Sequence, residues 1–167
     1  MTSDFKKFWN RIEHFVIPDE FTPEERQLAE QSPNTKGADH WKREFLQKES
    51  LQKALIKNNV KDDDIVCVGD VDEIWDGAFL SSDPWKTHEF KWTPKLKLRV
   101  YAYYLNNSSN EEFWGTVIGR YEQFKGKCLN HIRSDTGNRT SGYNGWHFTS
   151  MGGLKEVRRK LNDSYTT

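Results

Sequence analysis

The chain has no long apolar run, no net charge, almost no cysteine and no internal repeat. No stretch approaches the roughly 20 apolar residues that cross a bilayer, and no apolar segment of signal-peptide type follows Met1. A membrane is therefore not an expected partner. Lys plus Arg and Asp plus Glu both number 25, and without a long block of one sign there is no electrostatic case for nucleic acid. Two cysteines, Cys67 and Cys128, cannot build a disulfide framework, and Cys67 sits inside an apolar run as a small hydrophobe, which fits a reducing compartment. At 167 residues a single domain over 1–167 is expected. Aromatics are abundant instead, at 14% with seven Trp, a bias common where sugar rings or bases are gripped.

"EHFVIPDEF" predicts a short strand over residues 14–17, stopped by Pro18. "TPEERQLAE" opens a helix with Thr22 as N-cap, Pro23 at the first helical position and Glu25 completing a capping box. "QSPNTKG" reads as the loop that ends it. From 39 to 58, Trp41, Phe45, Leu51, Leu55 and Ile56 recur at helical spacing, predicting one amphipathic helix. "IVCVG" then reads as a strand covered on both faces, so strand, helices and strand are expected to form a βαβ unit. "LKLRVYAYYL" and "FWGTVIGRY" predict a hairpin at the edge of a mixed sheet, turning through "NNSSNEE". In "GGLKEVRRKL", Leu154, Val157 and Leu161 mark one face of a last helix.

The chemistry is concentrated in "GDVDEI", where Asp70, Asp72 and Glu73 follow the apolar strand. In an open α/β sheet, ligands gather outside the carboxyl ends of strands. Two carboxylates one residue apart there suit Mg²⁺ or Mn²⁺, which binds through one or two protein oxygens and leaves positions for water and a diphosphate. The competing reading is structural, since Asp at a strand end also builds turns and caps helices.

"GDVDEI" resembles the Asp-x-Asp-Glu-Ile segment of glycosyltransferase family 17, the β-1,4-N-acetylglucosaminyltransferase type. Further segments resemble the family in order: "HWKREFLQKESLQKAL", "VYAYYLN", "FWGTVIGRY" and the Gly-Trp-His stretch in "YNGWHFTSMGG". The likeness covers most of residues 10–165, although Trp75 stands where the family commonly has Pro. It implies an α/β fold with a GT-A-like, Rossmann-related mixed sheet flanked by helices, truncated by the family's N-terminal strand. It also implies inverting transfer of GlcNAc from UDP-GlcNAc to a glycan hydroxyl, with Mn²⁺ or Mg²⁺ as cofactor.

On that resemblance Asp72 is the first metal ligand, Asp70 contacts metal or nucleotide, and His147 is a further ligand or a donor to the diphosphate. Asp72, Glu73 and Glu112 are the expected catalytic carboxylates, with Glu111 and Asp135 as other candidate bases. Arg43, Arg133 and Trp146 are expected to meet the donor, Arg133 by balancing diphosphate charge and Trp146 by stacking on a sugar. Trp41 is read as packing, while one ring of Tyr103 and Tyr104 faces the core and the other the ligand. Expected partners are a nucleotide-sugar donor, a glycan acceptor and a second copy paired along an open sheet edge. The expected setting is the cytoplasm of a bacterium or a virus-infected cell. A sugar-phosphate nucleotidyltransferase would need a Gly-rich, basic loop after the first strand, and the sequence shows none. The remaining rival is a truncated transferase serving as a saccharide-binding or interaction module.

Overall fold

A computed structural model describes residues 3–17, 20–31, 39–82, 92–135 and 137–165. The chain divides into two compact units, Met1–Ala54 and Leu55–Thr167. Among the described residues the first unit is helical, with a 3-10 helix, Ser3–Arg11, then α1, Pro23–Gln31, and α2, Asp39–Glu49. The capping box forms as the sequence predicts. Thr22 N donates to Glu25 Oε2 at 2.8 Å and Glu25 N donates to Thr22 Oγ1 at 3.2 Å, satisfying two N-terminal amides that the helix cannot. Ala29 of α1 and Phe45 and Leu46 of α2 are buried.

Two expectations for this region are corrected. Residues 14–17 form no strand, because no other strand among the described residues of this unit offers a ladder for their amides. They line a cavity of about 260 Å³ with Phe21, Arg43 and Gln47. The helix expected over 39–58 breaks at Ser50, whose hydroxyl donates to Leu46 O at 2.8 Å, a back-bond that bends helices. The remainder is α3, Leu51–Lys57. Trp41, Leu51 and Ile56 are exposed rather than aligned on one packed face. Pro18 and most of the loop over 31–37 lie outside the described residues.

The second unit is a mixed five-stranded sheet with helices, an α/β fold as expected. Its strands are β1, Ile65–Val68; β2, Glu73–Trp75; β3, Lys95–Ala102; β4, Ser108–Arg120; and β5, Arg139–Thr149, in the order β1-β4-β3-β5-β2. The helices are α4, Gly77–Ser81; α5, Leu129–Ser134; and α6, Gly153–Tyr165. The βαβ unit does not form. β1 pairs antiparallel with β4, β2 pairs antiparallel with β5, and the parallel pair is β3 with β5. The first strand of the expected βαβ unit, over residues 14–17, does not form. The hairpin of β3 and β4 does form, but at the sheet centre, and β4 already begins at Ser108. Asn107 closes the turn, its N donating to Tyr104 O and its Nδ2 to Ala102 O, each at 3.0 Å. Leu154 and Leu161 of α6 are exposed.

The connection between β1 and β2 dictates the shape of the sheet. Laid flat at about 4.8 Å per strand, the two edge strands would stand roughly 19 Å apart. Residues 69–72 close that distance with a tight turn, in which Glu73 N donates to Asp70 O at 3.0 Å. The sheet must therefore curl. Ile65 and Cys67 from one edge and Trp75 from the other accordingly pack with the same buried residues, Leu96, Leu98 and Ile118. Burial there pushes the Cys67 thiol up to about 12, so it stays neutral. The opposite face of β1 and β4 buries Val66, Val68 and Val117 with Tyr121, Phe124 and Leu129, the last at the start of α5.

The cap of α1 generates a prediction. Thr22→Ala should cost about 1 kcal/mol in denaturant unfolding. Lys53, then the Thr22 amide, hold the Glu25 carboxyl below its ordinary 4.5. A depressed folded pKa stabilises above the unfolded value and is lost as pH falls. Glu25→Gln should thus destabilise at neutral pH, with the difference from wild type fading as the pH drops below 4.5.

Candidate active site

The turn over residues 70–73 gathers three carboxylates at the junction of the two sheet edges. Arg133, from the last turn of α5, reaches into it. Its Nη1 donates to Asp70 Oδ1 at 2.8 Å and its Nη2 to Asp70 Oδ2 at 3.0 Å, a bidentate pair. Nη2 also donates to Glu73 Oε1 at 2.9 Å, and Nε to Gly115 O at 3.3 Å.

Glu73 is the most constrained of the three, its side chain fully buried. Thr116, 0% exposed, donates its hydroxyl to Glu73 Oε2 and accepts the indole N–H of Trp75 at 2.9 Å. Trp75 thus anchors the strand that leaves the turn. Glycine makes the space, because a Cβ on Gly69 or Gly115 would run into the Glu73 carboxylate. Burial raises the Glu73 pKa, opposed by the Thr116 hydrogen bond and by Arg133. An uncompensated buried carboxylate costs several kcal/mol, which explains the density of donors around it.

Asp72 differs. Its carbonyl accepts Phe148 N at 2.9 Å, while its carboxylate, 37% exposed, lies 3.5 Å from His147 Nε2 through Oδ2. His147 stands opposite Glu73 in the β2–β5 register and rests on Phe113, ring centroids 4.0 Å apart. Its Nδ1 is buried without a hydrogen-bond partner. Asp72 also lines a pocket of about 380 Å³ together with Phe148, Met151, Glu156, Arg159 and Lys160. That volume lies in the range of small-ligand sites.

A divalent cation was tested against these donors. Among the described residues no group of three or more His, Cys, Asp or Glu is placed to hold a metal, and Asp70 is bound bidentately by Arg133. Asp72 Oδ2 and His147 Nε2 are the available pair. Adjacent ligands on an octahedral ion at about 2.1 Å stand roughly 3 Å apart, close to the 3.5 Å found here. The pair has the spacing of two ligands in the shell of Mg²⁺ or Mn²⁺.

The other expected site residues are dispersed. Trp146 neighbours His147 but points to the other sheet face, 36% exposed, opposite Ile74 on β2 and Arg99 on β3. Glu112 of β4 is paired with Lys97 of β3. Arg43 belongs to the first unit, beside residues 14–17. Tyr103 and Tyr104 are both exposed, and Tyr103 O accepts the amides of Gly152 and Gly153 at 3.0 and 3.3 Å, fixing the entry to α6. The sequence reading missed Thr116, whose partners lie far along the chain, and Arg159 and Lys160, visible only as a basic run in "VRRKL".

Arg133→Ala should destabilise by about 3 kcal/mol in chemical denaturation, because it strands the buried Glu73 carboxylate. Adding Glu73→Gln should recover part of that loss, since the uncompensated charge is then gone.

The comparisons with known proteins come to one match. The family model described as glycosyltransferase family 17 matches residues 9–162. No curated protein and no solved structure matches significantly. The matched span contains the turn over 70–73, Arg133, His147 and most of α6, so the buried carboxylate network and the pocket beside it lie within the family's own region. The chain belongs to glycosyltransferase family 17.

Proposed function

We propose that this transferase moves GlcNAc from UDP-GlcNAc to a glycan hydroxyl with inversion at the sugar carbon, and that the donor diphosphate occupies the Asp72 pocket. One observation supports this reading above the others: Asp72 faces the same cavity as Arg159 and Lys160 and stands beside His147. A carboxylate and an imidazole for a cation, with two basic side chains across the cavity, form the charge pattern that a diphosphate requires. When bound, Mn²⁺ or Mg²⁺ would neutralise the leaving diphosphate.

The acceptor oxygen attacks the sugar carbon as its bond to the phosphate oxygen breaks, and the electron pair leaves on the diphosphate. The hydroxyl proton passes to a carboxylate. Glu112 pairs with Lys97 and Glu156 with Arg159, the latter at 2.8 Å, but Glu156 lines the pocket itself, and we assign the base to Glu156. Glu73, closed to solvent, positions the turn through Arg133 and Thr116.

Calorimetric titration of UDP and UDP-GlcNAc, with and without Mn²⁺, tests the donor site. Binding should require the cation and weaken at least about tenfold in Asp72→Asn and in Arg159→Gln with Lys160→Gln. In turnover assays Glu156→Gln should lower kcat by about a hundredfold or more while donor binding persists. No donor binding at all would sink this assignment and favour a saccharide-binding module.

A further inference from the structure

One sheet face carries cations and aromatic rings in alternation. Lys97 Nζ lies 5.4 Å from the Trp114 ring centroid and 4.9 Å from that of Tyr143. Arg139 stacks over Trp114 at 4.3 Å and Arg99 over Tyr143 at 4.6 Å. The register produces this order, since Lys97 of β3 stands opposite Trp114 on β4 and Tyr143 on β5. The result is a ladder of guanidinium, indole, ammonium, phenol and guanidinium.

Among the described residues Glu112 pairs with Lys97, while Arg99 and Arg139 meet rings and no carboxylate. Lys95, buried opposite Arg139 in the register, has its pKa lowered, first by burial and then by Arg139 and Arg133, with Asp135 acting the other way. Arg99 and Arg139 are exposed, Tyr143 is 44% exposed and Trp146 36%. Across the strands Glu112, Arg99, Trp146 and Ile74 form one row, so this face runs from the ladder to β2, on the side opposite Glu73 and His147.

Cation–π stacking holds each guanidinium plane extended and partly desolvated, which reduces the entropy lost when an anion binds. The same rings offer flat apolar surface to a sugar. A neutral glycan would use the rings and leave the surplus positive charge unmatched, whereas a chain bearing carboxylates uses both. A nucleic acid would need a longer basic track than the evenly charged sequence supplies. We propose that the face formed by Lys97, Arg99, Trp114, Arg139, Tyr143 and Trp146, on the side of the sheet opposite His147, docks the acceptor chain, and that the acceptor is an acidic glycan with carboxylates on its sugar rings. The inference rests on the transferase reading above.

Binding is measured by titrating hexagalacturonate into the full chain, beside neutral galactohexaose, a hexaglutamate peptide and hexathymidylate. The acidic hexasaccharide should bind, with the neutral one at least about tenfold weaker. Arg99→Gln combined with Arg139→Gln should lose about tenfold or more of that affinity at an unchanged melting temperature. Wild-type binding should also weaken several-fold as salt rises to about 0.15 M, a readout that needs no variant to fold. Equal binding of the neutral sugar, equal binding of the peptide or the oligonucleotide, or no binding of hexagalacturonate overturns the proposal. Asp72→Asn should lose the donor and keep the acidic sugar, so failure at one site is not mistaken for failure at the other.

Discussion

The buried contact of Glu73 with Arg133 and Thr116 is what the rest of the second unit depends on. It ties β2 to the helix α5 and to the inner side of β4, although β3 and β5 lie between β2 and β4 in the sheet. The curl that brings the two edges together is therefore pinned by a charge that cannot be left alone. Removing a buried carboxylate from water is costly unless donors replace the water, and two side chains, Arg133 and Thr116, do so here. Gly69 and Gly115 give way to that carboxylate, so the backbone itself is adapted to one polar group.

This arrangement separates the carboxylates of a single short turn into different tasks. Asp70 and Glu73 are held by one guanidinium, which leaves Asp72 as the carboxylate directed to the pocket. A turn free to move would let all three repel one another and scatter. Fixed in place, it presents one acid beside one imidazole at a defined separation, the kind of preorganisation that a transfer reaction rewards. The close backbone contact of Asp72 O with Phe148 N keeps the turn on β5, next to the strand residue that carries the imidazole.

Much of the local structure was legible. The capping box at Thr22, the strand of "IVCVG", the pairing of "LKLRVYAYYL" with "FWGTVIGRY" and the final helix are all encoded by contacts within a few residues or by strong alternation. The misreadings have a common cause. Residues 14–17 are as apolar as a strand but find none to pair with among the described residues of their unit, and without them the expected βαβ unit has no first strand. Trp41 and Ile56 keep helical spacing yet lie on either side of the Ser50 break.

For the site, the sequence by itself determined the composition: a cluster of acids after a buried strand, with an Arg and a His later in the chain, within a span that the family shares. It could not determine which acid meets which base. Arg133 is joined to Asp70 across 63 positions of chain, and Thr116 to Glu73 across 43, and no local propensity reports on contacts so remote. The cation ladder was hidden for the same reason, since Lys97, Trp114 and Tyr143 become neighbours only through strand register. Periodicity tells a residue which face of its own strand it occupies. Only closure of the sheet decides what stands opposite, because burial and charge compensation are settled between strands.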